Sequence, residues 1–276
     1  MIKQYSFFAY WRKKDVEFLN SLGLKEDIEE GADVFLIEES ETYNKIIAHY
    51  SKKNSLFSKT KLEKFSCVFT GVIFSKEELD QGRVYDLIDT GVSKGFPLPE
   101  DTFEDDIFTY DCRKCESGKK QKAPFRITKP KWKKNEVNFT LRDRDFIFFK
   151  KDFFQEVLAP LGLKSREVII HNTGKITEDV VQLIIPEAKS KLLIEGTTYD
   201  REKPCEKCNI KQYSIQTLDF FPAFENKFEF LICKTKEEFL GGRRRIIITK
   251  TFCDLLVKHK VIKFNTNHLT PMVKVK

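Results

Sequence analysis

Long hydrophobic runs are missing from this chain of 276 residues. No apolar stretch reaches about 18 residues, the length that a helix needs to cross a membrane, so no transmembrane helix is predicted. The apolar segment 6–11 is too short for the hydrophobic region of a secretion signal, and no small-residue cleavage site follows it. We therefore expect a cytoplasmic protein with no membrane partner, in which cysteine thiols stay reduced.

Familiar catalytic motifs are also missing. The chain contains no P-loop, no dinucleotide-binding glycine fingerprint, no HExxH motif and no nucleophile elbow. Histidine is scarce, and a lone residue such as His171, at the end of a predicted strand, is usually structural. Asp143 and Asp145 resemble a paired-carboxylate site, but the intervening Arg142 and Arg144 favour charge neutralisation on a surface strand. We therefore predict that the protein is not an enzyme.

The composition indicates a globular chain with an uneven charge distribution. Hydrophobic residues make up 41% and charged residues 33%, which suits one large domain or two ordinary ones. The net charge is +7, but segment 76–106 has three basic and ten acidic residues, whereas segment 113–134 has ten basic and one acidic. This change of sign indicates either a solvated face with a compensating neighbour or a docking surface for a charged partner.

Four of the seven cysteines form two pairs with the same spacing, Cys112/Cys115 and Cys205/Cys208. We call each pair with its intervening residues a knuckle. A two-residue spacing lets both thiolates bind one metal ion, and four sulfur ligands suit tetrahedral zinc. Because four protein ligands leave no position for water or substrate, we predict one structural Zn²⁺ per chain. The other cysteines are predicted to be small buried hydrophobic residues: Cys67, Cys233 and Cys253.

The distance between the knuckles leaves other interpretations open. Residues 116–204 separate them, a far longer interval than the 15–20 residues typical of a compact zinc ribbon. Each knuckle could instead recruit its own second pair of ligands. A redox dithiol is a third interpretation, because a Cys-x-x-Cys motif lowers the thiol pKa at a helix N-terminus. Neither knuckle begins a predicted helix.

The N-terminal region, residues 1–105, is predicted to be a mixed α+β region. Hydrophobic periodicity predicts helices over 15–23 and 42–52, and apolar runs predict strands over 33–37 and 66–74. A short helix is expected after Ser75, which can serve as its N-cap. We expect a loop or linker over 100–106, and place the second domain over 106–276.

The second domain contains an internal repeat. An apolar strand followed by a helix occupies 147–158 and again 246–257, an offset of 99 residues, whereas the knuckles are offset by 93. An insertion around 238–245 accounts for the difference. In both copies the phenylalanine one turn before Val157 or Leu256 is predicted to pack inward.

We predict an α+β fold in which two similar strand–helix units, about 112–171 and 205–264, are joined by the zinc-knuckle pair around a pseudo-twofold axis. Each unit is expected to end in a second short strand, over 167–171 and 261–264. A further strand is predicted over 180–186 and a weaker one over 191–194. The alternative is chance similarity between two ordinary strand–helix segments.

A basic segment follows the first knuckle and mixes cations with aromatic residues. Such mixtures bind the nucleic-acid backbone and stack on bases. As a nucleic-acid interface it would use Lys119, Lys120, Lys122, Arg126, Lys131, Trp132, Lys133 and Lys134. The alternative is a lysine-rich solvent loop. The arginines at 243–245 belong either to the same face or to the tip of a hairpin.

The order of these motifs resembles the bacterial double-CXXCG motif proteins. In that family each cysteine pair precedes a strand–helix segment, and the chain ends in an apolar–proline tail like residues 269–273 here. The resemblance covers about residues 96–276. The glycine of the family motif, which permits a left-handed turn, is replaced here by Glu116 and Asn209. Asparagine tolerates that turn, and glutamate disfavours it.

The resemblance also implies a function, since several family members are immunity proteins that neutralise a toxin made by the same cell. It implies a non-enzymatic, protein-binding role with a toxin as the partner. The acidic segment 76–106 would suit a basic nuclease toxin, and the basic segment 113–134 would suit an acidic partner. The alternative function is a zinc-containing nucleic-acid-binding protein that uses segment 113–134.

Overall fold

The computed structural model describes residues 1–24, 28–53, 65–91, 104–141 and 145–273. By their contacts they group into two compact lobes. The N-terminal lobe comprises Met1–Ser75 and Gln216–Asp219, and the C-terminal lobe comprises Lys76–Ile215 and Phe220–Lys276. The described elements combine a few helices with mainly antiparallel sheets, which is compatible with an α+β fold.

The N-terminal lobe contains a three-stranded antiparallel sheet in the order β2-β1-β3. Its elements are β1 Ile2–Trp11, α1 Lys13–Ser21, β2 Gly31–Glu38, α2 Glu41–Lys53 and β3 Ser66–Ile73. Alternate residues of β1 are buried at Phe7, Ala9 and Trp11, and they share a hydrophobic core with Leu19 of α1 and Ile46 of α2. The two helices therefore cover one face of the sheet.

The C-terminal lobe contains more and shorter elements. Its helices are α3 Lys76–Asp80, α4 Glu104–Ile107, α5 Lys151–Phe153 and α6 Lys250–Lys258. Its strands are β4 Val84–Leu87, β5 Phe108–Thr109, β6 Lys120–Gln121, β7 Arg126–Ile127, β8 Asn138–Thr140, β9 Ile147–Lys150, β10 Lys164–Arg166, β11 Ile169–Ile170, β12 Val180–Ile184, β13 Ile232–Lys234, β14 Ile246–Thr249 and β15 Leu269–Pro271.

Two four-stranded sheets organise this lobe, in the orders β10-β12-β9-β8 and β13-β14-β4-β15. A first core, with Phe125, Phe139 and Phe148 at its centre, packs around β8 and β9. A second core, which includes Phe221, Phe239 and Ile247, packs around β14. Residues 76–91 group with this lobe rather than with the N-terminal one, because β4 pairs with β14 and β15. The predicted domain boundary at residue 105 stays a prediction.

The strand–helix segments of the expected repeat lie at the predicted positions. β9 and β14 each have an antiparallel strand on both sides, and each runs directly into a helix. The strands that flank them differ, because β9 pairs with the preceding β8 and the following β12, whereas β14 pairs with the preceding β13 and the distant β4. β9 and β14 are both central strands of their sheets, but the neighbouring strands come from different positions along the chain.

The two helices of the repeat also differ in form. α6 is a regular helix whose N-cap Thr249 accepts a hydrogen bond from the Phe252 backbone N–H at 3.2 Å. α5 passes into a π-helical turn, Phe154–Leu158, and then a 3₁₀ turn, Ala159–Leu161. As a result Phe154 is buried and Phe153 only half-buried, so the expected inward packing of Phe153 is wrong, whereas that of Phe252 is confirmed.

Two other predicted strands are not formed. Segment 261–264 is irregular, although Val261 and Ile262 are buried, and segment 191–194 contributes only a single bridge between Leu192 and Phe224. Burial of an apolar run therefore does not require strand pairing. The segment expected as a strand over 167–171 contains β11. Within the described ranges, no helix is both long and apolar enough to span a bilayer.

Candidate metal centre

The two knuckles share one backbone hydrogen bond. In the first, the Cys112 N–H donates to the Ser117 carbonyl oxygen at 3.1 Å, and in the second the Cys205 N–H donates to the Ile210 carbonyl oxygen at 3.0 Å. Each bond joins the first cysteine to the residue five positions later. This bond is therefore repeated at the 93-residue offset between the cysteine pairs.

The residue after the second cysteine has a left-handed conformation in both knuckles. The φ angle is +58° at Glu116 and +59° at Asn209. These are the positions at which the double-CXXCG motif would place glycine. Both turns therefore adopt the left-handed conformation without glycine, at a backbone strain of about 1–2 kcal/mol for an ordinary L-residue.

The fold brings the four cysteine sulfurs together. The Sγ atoms of Cys112, Cys115, Cys205 and Cys208 all lie within 4.8 Å of one another, and those of Cys115 and Cys208 are 3.7 Å apart. A tetrahedral ion with metal–sulfur bonds of about 2.3 Å separates its ligands by about 3.8 Å. The cluster could therefore hold a metal ion. It is the one such group of histidine, cysteine and acidic residues in the described part of the chain.

The backbone favours the thiolate form of the first cysteine in each knuckle. The N–H groups of Cys208 and Lys207 lower the pKa of Cys205 to about 6, and the N–H of Cys115 lowers the pKa of Cys112. A sulfur that accepts backbone hydrogen bonds is stabilised as an anion. Two of the four prospective ligands are therefore favoured as thiolates by the turns themselves.

The second cysteine of each knuckle, Cys115 or Cys208, has a raised pKa. Burial raises the pKa of Cys115 to about 12. At Cys208 the Ile210 N–H lowers the pKa, but burial and the neighbouring thiols outweigh it, so that the pKa is raised overall. Four adjacent thiolates repel one another, and a bound cation would remove that repulsion.

Hydrogen bonds from neighbouring segments hold the first knuckle in place. Gln212 Nε2 donates to the Cys115 carbonyl oxygen at 2.9 Å, and the Gly118 N–H donates to Glu238 Oε1 at 2.8 Å. Gly242 packs so closely on this turn that a Cβ atom there would overlap the Glu116 carbonyl oxygen. These contacts place the turn against residues of the second repeat.

The alternative ligand sets find no support in the described residues. No histidine joins the cysteine cluster. His268 Nδ1 lies 2.8 Å from the Asp89 carbonyl oxygen, and the His49 ring stacks on Phe18. A redox dithiol is favoured where the cysteines lie at the start of a helix. Residues 113–116 and 206–208 form turns instead.

The basic segment lies in the same lobe, on and around β6 and β7. Of the eight residues predicted as a nucleic-acid interface, six have exposed side chains, namely Lys120, Lys122, Arg126, Lys131, Lys133 and Lys134, whereas Lys119 and Trp132 are half-buried. Trp132 packs on Phe139 with a ring-centroid distance of 5.6 Å, and Lys150 Nζ lies 5.1 Å from its ring centroid. Phe125 is buried in the core. The segment therefore offers exposed cations but no open aromatic face.

The two carboxylates that resemble a catalytic pair are not seen together. Asp143 lies outside the described residues. Asp145 forms an ion pair with Lys234, with 3.6 Å between Oδ2 and Nζ.

A buried ion pair and an exposed one, neither predicted from the sequence, also lie in this lobe. The Arg245 guanidinium binds the fully buried carboxylate of Asp86 through two bonds, with Nε 2.9 Å from Oδ1, and its Nη1 donates to the Ile215 carbonyl oxygen at 2.7 Å. Arg244 pairs with Glu187. The arginine run is therefore not simply a solvent-exposed hairpin tip. No sequence signal connects it to Asp86, which is 159 residues away.

Comparisons with known proteins give no independent identification. No family model, no curated protein and no solved structure matches the chain. The resemblance to double-CXXCG proteins therefore rests on the two knuckles and the strand–helix segments alone.

Proposed function

We propose that the chain is a non-enzymatic, protein-binding module stabilised by one structural Zn²⁺, and that its partner is a toxin made by the same cell. The observation that carries the proposal is the cluster of four cysteine sulfurs within 4.8 Å, supplied by two turns of the same geometry. Four thiolates complete a tetrahedral site and leave no position for a substrate. The toxin-neutralising role is supported by the resemblance to double-CXXCG proteins.

The proposal includes a duplicated architecture around the metal. The knuckles share one hydrogen-bond pattern, and in each repeat a strand with neighbours on both sides leads into a helix. These features favour duplication over chance similarity of two segments. Zinc would then fasten the two strand–helix repeats to each other.

Elemental analysis tests the metal. Four thiolates suit zinc, and they also suit iron, so both metals must be measured on protein purified under reducing conditions. We expect about one zinc per chain, lost in Cys205→Ser and kept in Cys67→Ser, which alters a half-buried cysteine outside the cluster. An iron-containing centre, or zinc content unaffected by Cys205→Ser, would contradict the proposal.

Growth assays test the biological role. A toxin encoded beside this gene should arrest growth when expressed alone, and co-expression with this chain should restore it. We expect protection from the Cys67→Ser variant and loss of protection from Cys205→Ser. Failure of the intact, zinc-loaded chain to bind or neutralise any toxin encoded beside it would contradict the immunity role but not the metal centre.

Nucleic-acid binding is the second candidate, favoured by the exposed cations of the basic segment. Contacts to duplex DNA would make the logarithm of the binding constant fall with the logarithm of salt concentration, with a slope near −0.9 per phosphate contact. Lys131→Glu and Lys133→Glu should each weaken such binding. Negligible binding of DNA and RNA at about 50 mM salt would exclude this candidate.

A further inference from the structure

A cation-lined cleft lies in the C-terminal lobe, outside the cysteine cluster. It consists of two cavities of about 240 and 360 Å³ that share Asp145 and Arg244 in their walls. We call it the basic cleft. Lys119, Arg166 and Lys234 line the first cavity, and Arg243 lines the second. The fold thus collects cations from four separate parts of the chain around one concave surface.

In the part of the chain that the structure describes, the negative charge in the cleft does not balance these cations. Asp145 pairs with Lys234, and Arg244 with Glu187. Among the described residues, neither Arg166 nor Arg243 has a carboxylate within 4.0 Å. Both side chains are half-buried, so water screens them less than it screens a lysine on an open surface.

The crowding of positive charge is visible at Lys234, whose side chain is 16% exposed. Burial lowers the pKa of Lys234, Asp145 opposes this effect, and Arg244 and Lys119 lower it further. The Asp145 side chain is 10% exposed, and within the described part of the chain its Oδ1 atom has no hydrogen-bond partner. The wall of the cleft therefore contains charges that its own residues do not fully satisfy.

Apolar side chains accompany the cations. Ile184 lines the first cavity and is 37% exposed, and Ile215 lines the second and is 38% exposed. Arginine is enriched in protein–protein interfaces, and the buried centres of such interfaces are more apolar than the rest of the protein surface. Interfaces with nucleic acids are more polar and more uniformly positive.

The aromatic ring in the cleft is not a platform for a base. Phe146 is 9% exposed, and Lys234 Nζ lies 3.9 Å from its ring centroid. Single-stranded nucleic acids gain affinity from stacking on open aromatic faces, which this wall does not offer.

We propose that the basic cleft binds an acidic segment of a partner protein, with carboxylates on Arg166 and Arg243 and an apolar side chain against Ile184 or Ile215. The inference rests on the proposed protein-binding function and names the surface and the chemistry of the partner. Arginine suits this role because its planar guanidinium can bind a carboxylate through two parallel hydrogen bonds.

Peptide binding tests the proposal directly. The probe is a short fluorescein-labelled peptide of glutamate and leucine, measured by fluorescence anisotropy with the full-length, metal-loaded protein. Matched peptides replace glutamate with lysine or leucine with serine. We expect saturable binding of the first peptide, none of the lysine peptide, and binding of the serine peptide weakened by about threefold or more. No binding of the first peptide at up to about 1 mM protein would overturn the proposal.

Charge-reversal variants locate the binding. Arg166→Glu and Arg243→Glu should each weaken binding by about tenfold or more, whereas Lys134→Glu, an equal charge change on an exposed lysine outside the cleft, should alter it by less than about twofold. Retained metal content and an unchanged urea midpoint show that each variant is folded, and Arg243→Gln provides a milder change. Equal losses in all three reversals, or equally tight binding of single-stranded DNA, would overturn the proposal in favour of unspecific attraction.

The two proposals fail separately. If the Arg166→Glu variant no longer binds the peptide but still neutralises the toxin, the cleft does not contact that partner and the immunity role stands. If the peptide binds in the cleft but no toxin is neutralised, the docking surface stands and the immunity role fails.

Discussion

Backbone strain at single residues distinguishes the two knuckles. Glu116 and Asn209 occupy the same left-handed position, but asparagine adopts that conformation more readily than glutamate. Since both turns present their sulfurs in the same way, the strain is a local cost that the surrounding contacts overcome. Those contacts include the Gln212 bond to the first knuckle.

Substitution by glycine should relieve more backbone strain at Glu116 than at Asn209. We expect Glu116→Gly to raise the free energy of unfolding by about 0.5–1 kcal/mol, because the gain from removing a strained side chain exceeds the added entropy of the unfolded chain. Asn209→Gly should change it by less than about 0.5 kcal/mol. Urea denaturation of the metal-loaded protein measures both values, and a larger gain at Asn209 would contradict this account.

The cysteines of the cluster should differ in reactivity once the metal is removed. Since the pKa of Cys205 is about 6, its thiol is mostly ionised at pH 7 and becomes protonated as the pH falls through about 6. Cys115, with a pKa of about 12, stays protonated at both values. Brief alkylation after chelation, read by peptide mass spectrometry, should modify Cys205 well before Cys115, at a rate that declines below pH 6.

Buried Cys233 is the internal control for this measurement. Its pKa is raised to about 12 by burial, so its alkylation would report unfolding rather than thiol acidity. Modification of Cys115 ahead of Cys205, with Cys233 still protected, would show that the backbone bonds do not control the chemistry of the cluster.

At the scale of elements, the two repeat helices bury different positions. The first repeat buries Phe154 and Leu158 in its π-helical turn, whereas α6 buries Phe252, Cys253 and Leu256. Phe154 and Cys253 are equivalent under the 99-residue offset, so this position is buried in both repeats. Phe153 instead stacks on Phe149 with a ring-centroid distance of 5.6 Å and meets the edge of His259.

Alanine substitutions check this assignment. We expect Phe154→Ala to lower the free energy of unfolding by about 3–5 kcal/mol, because it leaves a cavity in the core. Phe153→Ala should cost about 1–2 kcal/mol, because that ring is already partly exposed. Urea denaturation of both variants provides the comparison, and equal or reversed losses would argue against the π-helical turn.

The turn around Gly241 and Gly242 should be more sensitive to alanine substitution at Gly242 than at Gly241. Both glycines have positive φ angles, +76° and +63°, so alanine strains the backbone at either by about 1–2 kcal/mol. Gly242→Ala would also collide with the Glu116 carbonyl, whereas the nearest atom at Gly241 is Arg243 Nε at 4.0 Å. We expect Gly242→Ala to lose more than about 3 kcal/mol and reduce metal retention, and Gly241→Ala to retain metal. Similar stability and metal content in the two variants would exclude this packing.

Local sequence patterns predicted those elements that depend on nearby residues. The helix expected over 15–23 is observed as α1, Lys13–Ser21, and the strand expected over 180–186 is observed as β12, Val180–Ile184. The π-helical turn was not predictable, because the periodicity of 147–158 is equally compatible with a regular helix. β4 was not predicted either, since its partners lie far along the chain.

At the scale of the molecule, one buried ion pair joins distant segments of the C-terminal lobe. Asp86 lies in β4, between β14 and β15, and Arg245 directly precedes β14. Removing one partner would leave the other charge buried without compensation. This pair is therefore sensitive to single substitutions and far less so to replacement of both residues.

A double-mutant cycle measures how strongly Asp86 and Arg245 depend on each other. Arg245→Met should lower the free energy of unfolding by about 3–5 kcal/mol, and adding Asp86→Leu should recover most of the loss, because an apolar pair carries no desolvation cost. Urea denaturation of the two single variants and the double variant gives the coupling energy. Additive losses would mean that the two side chains stabilise the fold independently.

Cysteine spacing predicted which four sulfurs would meet, because each two-residue spacing fixes a pair within one turn. It could not predict what surrounds them. The Gln212 and Gly242 contacts, the Asp86–Arg245 pair and the basic cleft all join residues that are far apart in sequence. These groups become complementary in charge and shape only in the folded lobe. Composition and periodicity therefore cannot predict these contacts.

The place of β4 between β14 and β15 has a consequence for the order of events on the ribosome. A growing chain lengthens by about 5–20 residues per second, so Asp86 is synthesised roughly 8–30 seconds before Arg245, which lies 159 residues further on. During that interval β4 has no strand to pair with and its carboxylate has no guanidinium. The C-terminal lobe therefore cannot complete its second sheet until β15, Leu269–Pro271, has been synthesised, and a nascent chain that stalls before β14 would expose an unpaired strand to its neighbours.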